Sequence, residues 1–310
     1  MMIEDPSSTP GTAPASDVLR AQLAQGSLVL ETLAPIMQHL LASGAGTWFS
    51  EAMVARTRGM IAHLAEQLVT EQQPGEQDQR SELAAALFGR LAGQPELLVH
   101  CHARALEWYI GQQLKERGVV DPVLSPLLQS LIASQDAAIA ELAMNALASQ
   151  ARFELQVRQM HYPLDELPRD QLAIALECLS KVSGDTDSVE RLQPARDDHS
   201  ARADLFDRLV QKIGADGDDT LMLESSGLPI FISAIGRATG QSRDLVVQTC
   251  DSRQSVRLAL SLRAAGLSAP QTVRQLLQLN PDTTPPANLD AIEPAEADAT
   301  LRAFDEGQGQ

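Results

Sequence analysis

The densest group of metal-capable side chains is His100-Cys101-His102, with Glu107 nearby. Zinc sites on helices use ligands four residues apart, because that spacing places both on one face. On a helix, His100 and His102 point about 200° apart. Arg104 occupies the position that a second ligand would need. We therefore predict ordinary, partly buried histidines here, with no metal site and no cofactor.

Other patterns that carry chemistry are missing or incomplete. The sequence contains no phosphate-binding loop, no dinucleotide-binding fingerprint and no nucleophile elbow. The acidic run 216–219 lacks the order and the distal glutamate of a calcium loop, which favours a solvated turn. The cysteines Cys101, Cys178 and Cys250 lie far apart, which predicts buried free thiols. We predict no catalytic residue and a non-enzymatic protein.

Composition indicates the fold class and the compartment. Aromatic residues make up only 3% of the 310 residues, whereas leucine and alanine are abundant. Apolar side chains recur every three to four positions, which is typical of helices. We expect an all-α protein, either a helical-hairpin (HEAT-like) array or a multi-helix bundle, in one body or two halves. No apolar run reaches the ~18 residues of a membrane span, and no signal peptide is evident, so we expect a cytoplasmic protein.

Linker-like composition divides the chain into five segments. Helical domains are separated or flanked by stretches rich in proline, glycine, serine and acidic residues. Within the first domain, Trp108-Tyr109 is predicted to be a buried aromatic anchor. The predicted segments are a disordered leader (1–15), an N-terminal helical domain (16–182), a linker (183–200), a C-terminal helical-repeat domain (201–280) and an acidic disordered tail (281–310).

A short internal repeat lies in the C-terminal domain. Ala238-Thr239-Gly240-Gln241-Ser242 recurs after 26 residues as Ala264-Ala265-Gly266-Leu267-Ser268. In each copy the glycine can end a helix in the left-handed conformation, and the serine can cap the next helix. The pattern predicts two tight helix-turn-helix units that stack to bury their apolar faces.

The distribution of charge along the chain keeps DNA binding as an alternative function. The net charge of −17 argues against binding to nucleic acid or anionic lipid, but residues 225–280 carry six arginines against two aspartates. The second turn resembles the helix-turn-helix of transcriptional regulators, although its recognition helix has one basic residue and the flanks are acidic. The candidate partner-binding or DNA-binding residues are Arg237, Arg243, Arg253, Arg257, Arg263, Thr272 and Arg274.

Two segments carry a family resemblance. Residues 125–134 with the alanine-rich arm to Arg152, and residues 227–268, resemble the uncharacterised helical domain-of-unknown-function proteins of alphaproteobacteria, which have HEAT-like character. The resemblance covers about residues 50–280. It implies an all-helical fold and transfers no functional residue.

The hypothesis that the sequence favours is a helical scaffold that binds another protein in a bacterial regulatory pathway. The helical hairpins, the repeat and the missing active-site motifs all support that hypothesis. The alternative is a DNA-binding regulator that uses residues 225–280.

Overall fold

The computed structural model describes residues 15–43, 51–72, 77–184, 201–214 and 218–308. Every regular element in these ranges is helical, which confirms the all-α prediction. None of the helices there combines the length and the apolar character that a membrane crossing requires. The α-helices are α1 (Ala15–Glu31), α2 (Leu33–Ser43), α3 (Glu51–Gln72), α4 (Gln77–Leu91), α5 (Pro95–Glu116), α6 (Pro126–Ile132), α7 (Ala137–Arg158), α8 (Arg169–Ser183), α9 (Arg202–Ile213), α10 (Leu223–Thr239), α11 (Arg243–Thr249), α12 (Ser255–Ala264), α13 (Ala269–Leu279) and α14 (Pro294–Gln308).

Capping side chains determine where several helices begin. The carboxylate of Asp136 accepts hydrogen bonds from two backbone amides in the first turn of α7. Ser125 caps α6 in the same way, through the amide of Leu128. These side chains satisfy amide donors that have no partner within the helix itself.

The two glycine-serine turns have the geometry that their sequence predicts. Gly240 and Gly266 adopt positive φ angles of 71° and 98°. Ser242 then caps α11, and Ser268 forms a capping box with Gln271 at the start of α13. A side chain at either glycine would be strained, because L-residues rarely adopt this conformation.

One hydrophobic core joins the two predicted helical domains. Its buried residues run from Leu41 to Leu289 and include Leu64 of α3, Leu106 of α5 and Phe231 of α10. Helix α5 packs on α11, and α7 packs on α9. The predicted linker therefore does not mark a division of the core. Its residues 185–200, and the predicted leader up to residue 14, lie outside the described residues.

The prediction of a disordered tail is wrong for most of the segment 281–310. Helix α14 packs on α12, and Ile292, Ala297 and Leu301 form a second, smaller cluster with residues of α1 and α12. Arg257 of α12 pairs with Asp305 of α14 at 2.8 Å. The acidic composition suggested disorder, whereas apolar positions at helical spacing give α14 one buried face.

Candidate functional site

The arginines of residues 225–280 do not form a basic surface. Arg257 and Arg263 are buried, and Thr272 is fully buried. Arg263 donates to the backbone carbonyls of Ile292 and Leu267, and Arg257 is held by Asp305. The prediction that these three residues bind a partner or DNA is wrong, because their side chains are buried in the protein.

The remaining candidates of that segment are scattered. Arg243 points into the core, while Arg253 pairs with Asp251 at 2.9 Å and Arg274 pairs with Glu224. Arg237 is exposed near the end of α10. Local basicity in sequence gave no basic face, because the helices turn these side chains in different directions.

The His100-Cys101-His102 group lies inside the fold on α5. The two ring nitrogens of His100 each lie 2.6 Å from an oxygen, one of Asp244 and one of Tyr162. Burial lowers the pKa of His102 to about 4. Cys101 is a buried free thiol whose pKa is raised by burial, as are Cys178 and Cys250. The prediction of buried free thiols is confirmed.

A buried ionic network forms where α5, α9 and α11 meet. The guanidinium group of Arg202 binds both carboxylate oxygens of Glu107, each at 2.8 Å. Arg243 donates to the same carboxylate at 2.8 Å, and Arg104 lies 3.0 Å from it. We call Glu107 and these three arginines the Glu107 network. The side chains of Glu107 and Arg202 are only 2% and 1% exposed.

The four side chains of the network come from three helices. Arg104 and Glu107 are three residues apart on α5, so they share a face. Arg202 and Arg243 are the first residues of α9 and α11. We did not predict this network from the sequence, where its only signal is an acidic and a basic residue within the otherwise apolar stretch 103–110 of α5.

Charges within the network favour the ionised forms of Glu107 and Arg104. Burial by itself would raise the pKa of Glu107, but Arg202, Arg243 and Arg104 hold it well below its ordinary value. Burial also opposes the charge of Arg104, yet Glu107 and Asp244 raise its pKa. An ion pair of this kind is stable inside a protein only when its hydrogen bonds are satisfied.

Neighbouring polar side chains complete the network. Gln150 of α7 accepts from Arg202 at 2.8 Å, and the Arg202 guanidinium lies 3.8 Å from the centre of the Phe153 ring. Ser233 of α10 accepts from Arg243 at 2.8 Å. With these partners the network joins α5, α7, α9, α10 and α11.

The exposed side of α7 has the opposite character, and we call it the α7 face. Met144 and Leu155 are 50% and 46% exposed on it. Of the eight other exposed positions of α7, four are alanines and four carry the polar or charged side chains of Glu141, Asn145, Arg152 and Arg158. The small or apolar exposed residues are Ala137, Ala138, Met144, Ala148, Ala151 and Leu155.

A groove runs between α7 and α9 along one edge of the α7 face, and we call it the α7–α9 groove. It has a volume of about 450 Å³. Leu142 and Leu205 lie on its floor, and Arg152, Arg208 and Lys212 line it. Arg152 and Lys212 form no ion pair with any residue in the described ranges.

A smaller depression of about 240 Å³ lies on the other edge, between α5 and α7. Trp108 and Leu155 line it, together with Glu154, whose pKa burial raises to about 7. Trp108 is partly buried beneath Arg56, whereas Tyr109 is 40% exposed. The prediction that this aromatic pair is buried is therefore wrong for Tyr109. Helix α7 is a ridge between the two depressions.

Comparisons with protein-family models, with curated proteins and with solved structures found no match. The resemblance to helical alphaproteobacterial proteins stays a prediction.

Proposed function

We propose that this protein is a non-enzymatic helical interaction protein and that the α7 face binds its protein partner. The observation that carries this proposal is the pair of half-exposed apolar side chains, Met144 and Leu155, on an alanine-rich helix side. Exposed apolar surface of this kind is typical of protein-binding sites. The acidic composition and the buried free thiols support a cytoplasmic location.

The shape of the α7 face supports the same function. A ridge with a depression on each side lets a partner bury methionine and leucine side chains while small alanines permit close approach. Methionine suits such a surface because its side chain is flexible and polarisable. The opposite charges of the Glu107 network, in contrast, are already paired with each other, which supports a structural role for them.

Site-specific photo-crosslinking tests the proposal. A photoreactive residue at Ala148, in the centre of the α7 face, is expected to give a discrete adduct in cells that express the protein natively. The same residue at Leu277, which is 40% exposed on α13, is the matched control.

Two results decide the outcome. We expect the Ala148 adduct to disappear when Met144→Glu and Leu155→Glu are introduced together, and the control position to give no such adduct. Equal adducts at both positions, or an Ala148 adduct unaffected by the double substitution, would contradict the proposal.

A further inference from the structure

We propose that the segment bound at the α7–α9 groove is an acidic amphipathic helix of the partner protein. This inference rests on the proposed function and adds the chemistry of the partner. It comes from the charge, the length and the floor of the groove.

The charge of the groove is opposite to that of the chain. The protein has a net charge of −17, yet the described residues that line the groove include Arg152, Arg208 and Lys212 and only one acidic residue, Glu141. Within the described ranges Arg152 and Lys212 have no ion-pair partner. Cations left unpaired beside an apolar surface are complementary to carboxylates on a partner, and complementary charge selects partners by sign.

The length of the groove favours a helix over a compact anion. Its α7 wall extends from Ala138 to Arg152, which at 1.5 Å per residue is about 21 Å, or about four helical turns. Cations stand on both walls, since Arg152 belongs to α7 and Arg208 and Lys212 belong to α9. Carboxylates distributed along a helix can reach both walls, whereas a single small anion cannot.

The floor of the groove indicates an amphipathic partner. Leu142 and Leu205 lie beneath it, and Ala138 and Ala148 leave space above them. An amphipathic helix that lays apolar side chains at positions i, i+3, i+4 and i+7 into a groove is a recurrent recognition mode. Leucines would contact this floor while glutamates on the flanks of the helix meet the cations.

A synthetic peptide of about 15 residues, matched to the groove length, is the probe. It carries a leucine stripe flanked by glutamates on an alanine background and a fluorescent label. We expect saturable binding to the full-length protein by fluorescence anisotropy. A peptide with lysine in place of every glutamate is expected not to bind.

Charge reversal in the protein gives the matched test. We expect Arg152→Glu with Lys212→Glu to weaken binding of the acidic peptide by about tenfold or more, whereas Arg152→Lys with Lys212→Arg keeps it. Both wild-type side chains are unpaired within the described residues, so neither pair of substitutions breaks an ion pair there. Leu277→Glu on α13 is expected to leave binding unchanged.

Distinct results overturn the inference and the proposed function. Absence of acidic-peptide binding, equal binding of the lysine peptide, or displacement of the acidic peptide by millimolar inorganic phosphate would overturn the acidic-helix inference. If the Ala148 adduct persists in those cases, the proposed function stands and only the partner chemistry is wrong. If the Ala148 adduct also fails, the α7 face is not the binding surface.

Discussion

Two regions of this molecule reverse the usual distribution of polar and apolar groups. The Glu107 network places four charged side chains in the interior, all within 3.0 Å of a partner of opposite charge. The α7 face places methionine, leucine and alanine in solvent, beside Arg152 and Lys212, which have no ion-pair partner among the described residues. The buried charges are paired with each other, whereas the apolar side chains of the α7 face are exposed to solvent.

We infer that the Glu107 network stabilises the fold and that the α7 face does not. A buried carboxylate that binds three guanidinium groups specifies how α5, α9 and α11 meet, because any other arrangement leaves charges without partners. We expect the half-exposed apolar side chains of the α7 face to contribute little to the free energy of unfolding. The comparison predicts large stability effects at the first region and small ones at the second.

The largest effect is expected from Glu107→Gln. The substitution keeps the shape but leaves three arginines without their carboxylate, so we expect a loss of about 3–5 kcal/mol in the free energy of unfolding. Urea denaturation followed by circular dichroism measures the loss. Glu141→Gln on the α7 face is the matched control, with an expected change within about 0.5 kcal/mol. A loss below about 1 kcal/mol for Glu107→Gln would contradict the expected difference in stability effect between the Glu107 network and the α7 face.

We expect the second-largest effect on stability from acid, acting through the buried side chain of His102. The folded pKa of His102 is about 4, against 6.5 for an ordinary histidine, because burial disfavours the charged ring. Between these values the unfolded chain binds the extra proton, so stability falls as pH drops from about 6.5 toward 4. The expected contribution is about 3 kcal/mol.

Unfolding curves at several pH values measure this contribution. In the His102→Gln variant, we expect the free energy of unfolding to decrease much less between pH 6.5 and 4 than it does in the wild type. In the His39→Gln variant, which changes an exposed histidine, we expect the same decrease as in the wild type. An unchanged pH profile for His102→Gln would show that other groups cause the acid sensitivity.

Glu154 lies between the Glu107 network and the α7 face, and we expect it to have an intermediate effect on stability. Its carboxylate accepts from Gln112 at 2.8 Å, and burial raises its pKa to about 7. Because the folded protein holds this proton more tightly than the unfolded chain, stability falls as pH rises from about 4.5 through 7. We expect Glu154→Gln to stabilise the protein by about 1–2 kcal/mol at pH 8 and not at pH 4. Equal stability of the two proteins at pH 8 would contradict this.

The sequence predicted the helices better than it predicted the surroundings of single side chains. Capping serines and glycines act locally, so the turns at Gly240 and Gly266 could be predicted from spacing alone. The Glu107 network could not, because Glu107, Arg202 and Arg243 are distant in sequence and meet only through packing. The same limit explains why the arginines of residues 225–280 looked like a basic surface.

Composition was misleading at the C-terminal end. Many acidic residues in 281–310 suggested disorder, yet Ile292, Ala297 and Leu301 give that segment a buried stripe. The α7 face was also missed, since alanine and methionine at helical spacing look the same whether a helix side is buried or exposed.

The smallest stability effect is expected on the α7 face. Met144→Glu and Leu155→Glu each replace a half-exposed side chain that solvent already reaches. We expect each to change the free energy of unfolding by no more than about 0.5 kcal/mol. A loss of about 2 kcal/mol or more in urea titration would show that these side chains belong to the fold.

The most direct test of the central claim is partner binding by the Met144→Glu, Leu155→Glu double variant. The partner identified through the Ala148 adduct is titrated against wild-type protein, the double variant and Leu277→Glu. We expect the double variant to lose binding while retaining its stability, and Leu277→Glu to bind as the wild type does. If a stably folded double variant binds the partner as tightly as the wild type, the α7 face is not the binding surface.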